Sequence, residues 1–284
     1  MKIVITGAAG QLGADLSREL QSRGHIVTPL TRAELDVTDA AQMRRTLSAA
    51  EPELLINCTA ENRVDECEEK PDEAFALNAI APARMAALTR ELGVTLMHFS
   101  TDYVFDGTKR APYLESETPR PLSLYGVSKL AGEQLVRQRN PQHYLVRVMG
   151  LYGVAGSRGK GGNFVETIIS RARAEGRIRV VTDQTGAPTY TRDLAAGVAE
   201  LIAASHPFGT YHLAADGEVS WFDFASEILR RAGLAAIVEP VTSADFASRA
   251  ARPAYSVMRS ATLAPLRHWS EALDAYLKEK GHLN

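Results

Sequence analysis

Two residue groupings in this chain of 284 residues have the types and spacing that chemistry needs. Tyr125 and Lys129 lie four residues apart in Tyr125-Gly126-Val127-Ser128-Lys129. On a helix that spacing puts both side chains on one face. A free phenol titrates near about pH 10, too high for easy proton exchange at neutrality. A neighbouring ammonium favours the phenolate and lowers that value, so the pair reads as a tuned general acid or base. Taken alone, the spacing is common and usually means an aromatic ring resting on a Lys stem. Thr101, at the end of a strand-like run upstream, shifts the balance. Its place is where open α/β sheets bind ligands, and its hydroxyl is the expected partner of a carbonyl oxygen beside Tyr125.

The second grouping is Gly7-Ala8-Ala9-Gly10-Gln11-Leu12-Gly13, spaced G-x-x-G-x-x-G. It stands between a β-branched run, Lys2 to Thr6, and a helical pattern. Glycines there let the backbone turn tightly and approach a pyrophosphate, and the helix start offers free N–H groups. In this context the turn reads as a dinucleotide site rather than a plain connection. After the second strand comes Thr31-Arg32-Ala33-Glu34. Arg32 suits the 2′-phosphate of NADP(H), whereas Glu34 would suit the free ribose hydroxyl of NAD(H). The expected cofactor is NADPH, with NADH kept open.

The elements that must hold these groups alternate in the first half. Strands are expected over Lys2 to Thr6, His25 to Leu30, Glu53 to Cys58, Thr95 to Ser100 and His143 to Val148. Helices are expected over Gln11 to Arg23, Asp39 to Ala50, Pro71 to Leu92 and Tyr125 to Arg139. That order predicts an α/β fold, a Rossmann-type doubly wound parallel sheet over residues 1–150. Residues 151–284 read mainly as a smaller α/β substrate-binding lobe, with 183–205 returning to the first domain. This half holds a glycine-rich loop (Gly153 to Gly162). Helices follow near Asn163 to Glu175, Arg192 to Ala204, Ser220 to Ala232 and Trp269 to Lys280, with strands near Arg177 to Thr182 and Gly209 to Leu213.

Composition sets outer limits. Thirty-two Lys and Arg against thirty-four Asp and Glu give a net charge of −2, which argues against a nucleic-acid binder. No apolar run reaches the roughly 18 residues a membrane helix needs, and no export signal is visible. The cytoplasm is therefore the expected location. Cys58 and Cys67 read as buried or loop thiols rather than a disulfide or metal pair. The seven His show no ligand spacing, so no metal site is expected. The acidic run Asp65, Glu66, Glu68 and Glu69 reads as a solvated helix start.

Together with these groupings, Ser100-Thr101-Asp102-Tyr103-Val104-Phe105-Asp106-Gly107-Thr108 resembles the S-T-D-Y-V-F-D-G-T stretch of the dTDP-4-dehydrorhamnose reductase family, extended short-chain dehydrogenases/reductases. So do Leu124 to Glu133, Asn163-Phe164-Val165, Asp183 to Thr191, Gly209 to Leu213, Ser220-Trp221-Phe222 and Arg252 to Ser256, in family order. The resemblance implies reduction of the C4 ketone of a nucleotide-activated 4-keto-6-deoxy sugar, with dTDP-4-dehydro-L-rhamnose becoming dTDP-L-rhamnose. Thr101, Tyr125 and Lys129 would be catalytic, with Lys129 also bonding the nicotinamide ribose. Gly7, Gly10, Gln11, Leu12 and Gly13 would hold the pyrophosphate, Asp36 and Val37 the adenine, and Ala60, Glu61 and Asn62 the nicotinamide side. Asp102, Asn163, Asp183, Gln184 and Arg252 would meet the sugar nucleotide, although Asn163 reads equally as a helix cap, Asp183-Gln184 as a turn and Arg252 as a surface cation. The partner is then a nucleotide sugar, with a homodimer left open.

Two places depart from the family pattern. Glu61 and Arg63 bring charge where an aromatic and small residues are usual, and Gly150 stands where a Trp would pack on the sugar. The exact sugar is therefore open, and another aromatic could fill the space. Two further readings fit the residues less well. A dehydratase or epimerase of the superfamily fits less well, because Thr101-Asp102-Tyr103 lacks the second acid of Thr-Asp-Glu. The chain also resembles the regulatory subunit of methionine adenosyltransferase, but it retains Thr101, Tyr125 and Lys129.

Overall fold

In the computed structural model, residues 1–157, 161–246 and 248–283 are described. Residues 158–160 of the expected glycine-rich loop lie outside them.

The first half builds β1 (Lys2–Thr6), α1 (Gln11–Ser22), β2 (Ile26–Leu30), α2 (Ala40–Ala50) and β3 (Leu54–Asn57). It continues with α3 (Val64–Glu69), α4 (Pro71–Phe75), a π turn (Ala76–Ile80), α5 (Ala81–Glu91), β4 (Thr95–Thr101), α6 (Leu124–Arg139) and β5 (His143–Val148). Asp39 caps α2 by accepting from the N–H groups of Ala41 and Gln42, and Ser123 caps α6 through the N–H of Gly126. The single helix expected from Pro71 to Leu92 is interrupted by the π turn.

Six strands form one parallel sheet in the order β10-β5-β4-β3-β1-β2, where β10 is Gly209–His212. This is a Rossmann-type doubly wound sheet. The strand order reverses between β1 and β3, so a crevice opens beyond their C-terminal ends. Ile3, Ile5, Leu16, Leu20, Ile56 and Val146 fill one face, and Val4, Leu47, Leu55, Met85 and Leu145 the other. Arg147 of β5 is buried and forks onto Glu133 of α6 (2.8 and 2.7 Å), which holds that carboxyl down against the effect of burial.

The second half contributes β6 (Leu151–Tyr152), α7 (Phe164–Glu175), β7 (Arg177–Val181), β8 (Thr185–Gly186), β9 (Thr189–Tyr190) and α8 (Thr191–Ala203). After β10 come β11 (Ala215–Asp216), β12 (Val219–Ser220), α9 (Trp221–Arg231), β13 (Ile237–Val241), β14 (Leu266–His268) and α10 (Trp269–Glu279). α8 lays Leu194, Ala195 and Val198 into the core of the large sheet, beside Leu12 and Leu16 of α1. β10 extends that sheet, whereas the sequence order had placed it in the second lobe. A strand pairs by register and burial, not by chain proximity. A separate apolar cluster joins Ile168, Ile178, Phe224, Ile228, Leu273 and Tyr276 and makes the core of the second lobe. No helix among the described residues is long and apolar enough to cross a membrane.

Candidate functional site

The glycine turn closes on itself as the spacing requires. Gly7 has φ +71°, and its N-terminal neighbourhood faces the loop after β3, where a Cβ would meet Cys58 backbone atoms at 3.0 Å. A Cβ on Gly13 would come within 2.7 Å of Ala8 Cα, so α1 can pack this close only on glycine. Gly10 begins α1 with no side-chain cap, and no acidic residue occupies its first turn. The helix therefore keeps free N–H groups and an uncompensated partial positive charge. Gln11 Nε2 donates to Leu151 O (3.0 Å), while its Oε1 is buried without a partner. Leu12 is buried in the core. An uncapped helix start behind a glycine cradle fits a pyrophosphate.

After β2, Glu34 turns back and accepts from Thr31 N–H (2.8 Å), which lowers its pKa. Arg32 is exposed and has no ion pair among the described residues. The carboxylate is thus turned back on its own loop, while the guanidinium is not engaged in an ion pair among the described residues. Asp36 accepts from the N–H and hydroxyl of Thr38, and Val37 is buried in the core. Any contact Val37 makes with adenine falls to its backbone.

Ala60, Glu61 and Asn62 follow β3, and the π turn fixes them. Asn78, buried in that turn, accepts from Glu61 N–H (2.9 Å) and donates to Glu61 O and to Ser128 Oγ (both 3.0 Å). Ser128 in turn donates to Tyr125 O (2.8 Å). The loop and the Tyr125 helix are so joined through one amide. Asn78 was missed by sequence reasoning, because a π turn leaves no hydrophobic-period signature. The two charged departures compensate each other: Glu61 accepts from Arg63 Nε (2.9 Å) and Nη2 (2.6 Å).

Asn62, Thr101, Asp102, Tyr125 and Gln11 line one cleft of about 420 Å³ at the switch point of the sheet. Burial pushes the Tyr125 phenol up, opposed by the Thr101 hydroxyl beside it. Thr101 Oγ1 donates to Asp102 Oδ1 (2.9 Å), and Ser256 Oγ donates to the other carboxylate oxygen (2.7 Å). Burial nevertheless raises Asp102 to about 6. Lys129 lies beneath the cleft, and its ammonium donates to Phe99 O (2.6 Å). Burial lowers it to about 8, against the pull of Glu133. The phenol thus lies above its ordinary range, where its spacing from Lys129 had led to an expectation of lowering: burial is the largest influence on it. What the protein alone presents is a neutral phenol, ready to donate. Cys58 and Cys67 are free thiols.

The second-lobe residues divide. Gln184 lines the cleft, with Nε2 donating to Ser243 Oγ (2.8 Å). Asn163 reaches the cleft wall, but its amide is occupied: it caps α7 through Glu166 N–H (3.0 Å) and donates to Gly153 O and Tyr276 Oη. Asp183 lies outside the cleft and accepts from Ser243 N–H and Oγ. Arg252 also lies outside it, paired with Asp65 (2.6 Å). The acidic run is correspondingly more than a solvated helix start. Glu66 pairs with Arg63, Glu69 with Arg249, and Glu68 accepts from Leu124 N–H at the start of α6. The space beside Gly150 is filled by Trp221, which sequence analysis had not singled out for the cleft.

Fold and site together define a Rossmann-type α/β protein with a phenol-bearing cleft at its switch point. The family model described as the RmlD substrate binding domain matches residues 1–281, and the chain belongs to this family. The spore coat polysaccharide biosynthesis protein SpsK of Bacillus subtilis is 38% identical, over 98% of this chain and 98% of that protein. The dTDP-4-dehydrorhamnose reductase of Streptomyces griseus is 40% identical, over 95% and 91%. The crystal structure of the dTDP-4-dehydrorhamnose reductase of Bacillus anthracis in complex with NADP superposes with a TM-score of 0.92 at 36% identity, over 98% of this chain and all of that one (100%).

Proposed function

We propose that this protein is an NADPH-dependent ketoreductase of nucleotide-activated sugars, acting on dTDP-4-dehydro-L-rhamnose to give dTDP-L-rhamnose. The observation that carries the reading is the meeting of Tyr125, Thr101 and Asn62 in one cleft beside an uncapped glycine-turn helix. The named reductase relatives support it over a dehydratase or a regulatory subunit.

The bound nicotinamide supplies the hydride. The chain's own residues supply the rest. Residues 1–150 would hold the dinucleotide, the α1 N-terminus facing its pyrophosphate and Arg32 its 2′-phosphate. Tyr125 keeps its proton at neutral pH because burial disfavours the phenolate, so it can give that proton to the C4 oxygen. Thr101 aligns the same oxygen once its hydroxyl turns to it from Asp102 Oδ1. Lys129 is charged at pH 7 and has donors left beyond the one on Phe99 O, enough for ribose hydroxyls. Asp102 and Gln184 contribute polar groups on the sugar side.

The test is turnover of purified protein with NADPH and with NADH on dTDP-4-dehydro-L-rhamnose and on other nucleotide-linked 4-keto sugars. Tyr125→Phe is expected to lose on the order of 10²-fold or more of the rate while still binding NADPH. Full turnover by Tyr125→Phe would remove the acid assignment.

A further inference from the structure

We propose that the Trp221 indole is the specificity-determining wall of the cleft and receives the apolar face of a 6-deoxyhexose ring. The assignment rests on the ketoreductase reading and names what selects among its substrates.

The cleft lining holds two unlike groups. Thr101, Asp102 and Ser256, with Tyr125 beside Thr101, are a linked polar group, and Trp221, Phe164 and Pro188 are an apolar group gathered around the indole. A 6-deoxy sugar has a matching division: hydroxyl and carbonyl oxygens on one side, ring C–H groups and a methyl on the other. With its C4 oxygen at Tyr125, its C–H surface is matched by the apolar group around Trp221.

Trp221 is built to serve there. As the first residue of α9 it is fixed by its backbone N–H on Gln184 O (3.2 Å), and Ser220 caps the helix at Asp223 N–H. Phe164 supports the ring, with centroids 4.6 Å apart. The indole is only half buried although it belongs to a packed lobe. Gly150 borders it: a Cβ at that position would stand 3.4 Å from Trp221 Cη2, an ordinary contact, and 3.1 Å from Pro188 Cα, a tight one. Gly150 also has φ +56°, a conformation that side chains other than glycine rarely adopt. A larger residue at 150 would therefore strain the backbone and press on Pro188, which lies beside the indole.

Trp221 and Trp269 are the two tryptophans of the chain, so Trp269→Phe leaves one indole reporter. In that variant dTDP-L-rhamnose is expected to change the Trp221 emission, and dTDP alone is not. By calorimetry, Trp221→Leu is expected to weaken dTDP-L-rhamnose about tenfold while leaving dTDP unchanged, with Trp221→Phe recovering most of the loss. Undiminished NADPH binding reports that the variants are folded. Unchanged dTDP-L-rhamnose affinity in Trp221→Leu, or an emission response to dTDP as large as that to dTDP-L-rhamnose, overturns the assignment while parent turnover keeps the ketoreductase reading. A parent protein that neither binds nor reduces any nucleotide sugar ends both.

Discussion

The carbonyl oxygen of Asn78 occupies the place where a Cβ on Gly132 would stand. The π turn pushes that carbonyl toward α6, and only glycine lets α6 come close enough for Asn78 to reach both Ser128 and the Glu61 backbone. A π turn inside a helix costs regular hydrogen bonding and recurs where a functional loop must be held. Gly132→Ala should then cost roughly 1–3 kcal/mol by overpacking and displace the loop after β3. Thermal unfolding and the KM for NADPH are the measurements. A variant with parental Tm and parental KM would show that the close approach is incidental.

Lys129 is a charged group stabilised by little besides one carbonyl and Glu133. Its pKa falls from 10.5 unfolded to about 8 folded. Below pH 8 the lysine is charged in both states and the burial penalty is fully present. As pH rises from 8 to 10.5 the unfolded chain binds more protons, so that penalty is relieved. Lys129→Met is expected to stabilise the protein by up to about 3 kcal/mol at neutral pH, with the gain fading toward pH 10.5, while turnover is lost. Chemical unfolding at pH 7 and pH 10 decides it. A variant less stable than the parent at pH 7 would contradict the burial argument.

Asp102 carries the opposite sign. Its pKa rises from 3.8 to about 6 on folding. Below 3.8 it is protonated in both states. Between 3.8 and 6 the folded protein holds the extra proton, so stability declines as pH rises through that window and the full cost stands above it. Asp102→Asn should be near neutral at pH 4 and gain roughly 2–3 kcal/mol above pH 6. The Asn oxygen can accept from one of the two hydroxyls, Thr101 or Ser256, and its amide can donate to the other, which must turn to accept. A stability difference that does not vary across this range would place the carboxylate in a wetter setting than the fold shows.

Arg32 separates the two cofactors. Arg32→Ala should raise the KM for NADPH about tenfold or more and leave that for NADH within about twofold, because a charge-assisted contact to the 2′-phosphate is the part removed. Steady-state kinetics with both cofactors provide the comparison. Equal losses for the two would move 2′-phosphate recognition elsewhere.

Much of this protein is written locally. The β-branched run before Gly7, the glycines that follow and the Leu spacing of α1 determine a strand, a tight turn and a helix whatever else is nearby. The Tyr125-to-Lys129 spacing places both residues on α6, and Thr101 at a strand end follows from the Thr95 to Thr101 pattern. The sequence left two outcomes open at Gly150, room for a different sugar or another aromatic in the space. Tertiary structure alone decided which one: Trp221 reaches the cleft only because α9 begins beside Gln184. It also decided that Lys129 would grip Phe99 O, that Asn163 would give its amide N–H groups to Gly153 O and Tyr276 Oη, and that Asp183 and Arg252 would stay outside the cleft. Those outcomes turn on which donors and acceptors burial brings within about 3 Å of one another. Contacts between residues 50 or 150 positions apart leave no mark in local spacing, since they are chosen by packing and by the cost of leaving a buried polar group unpaired.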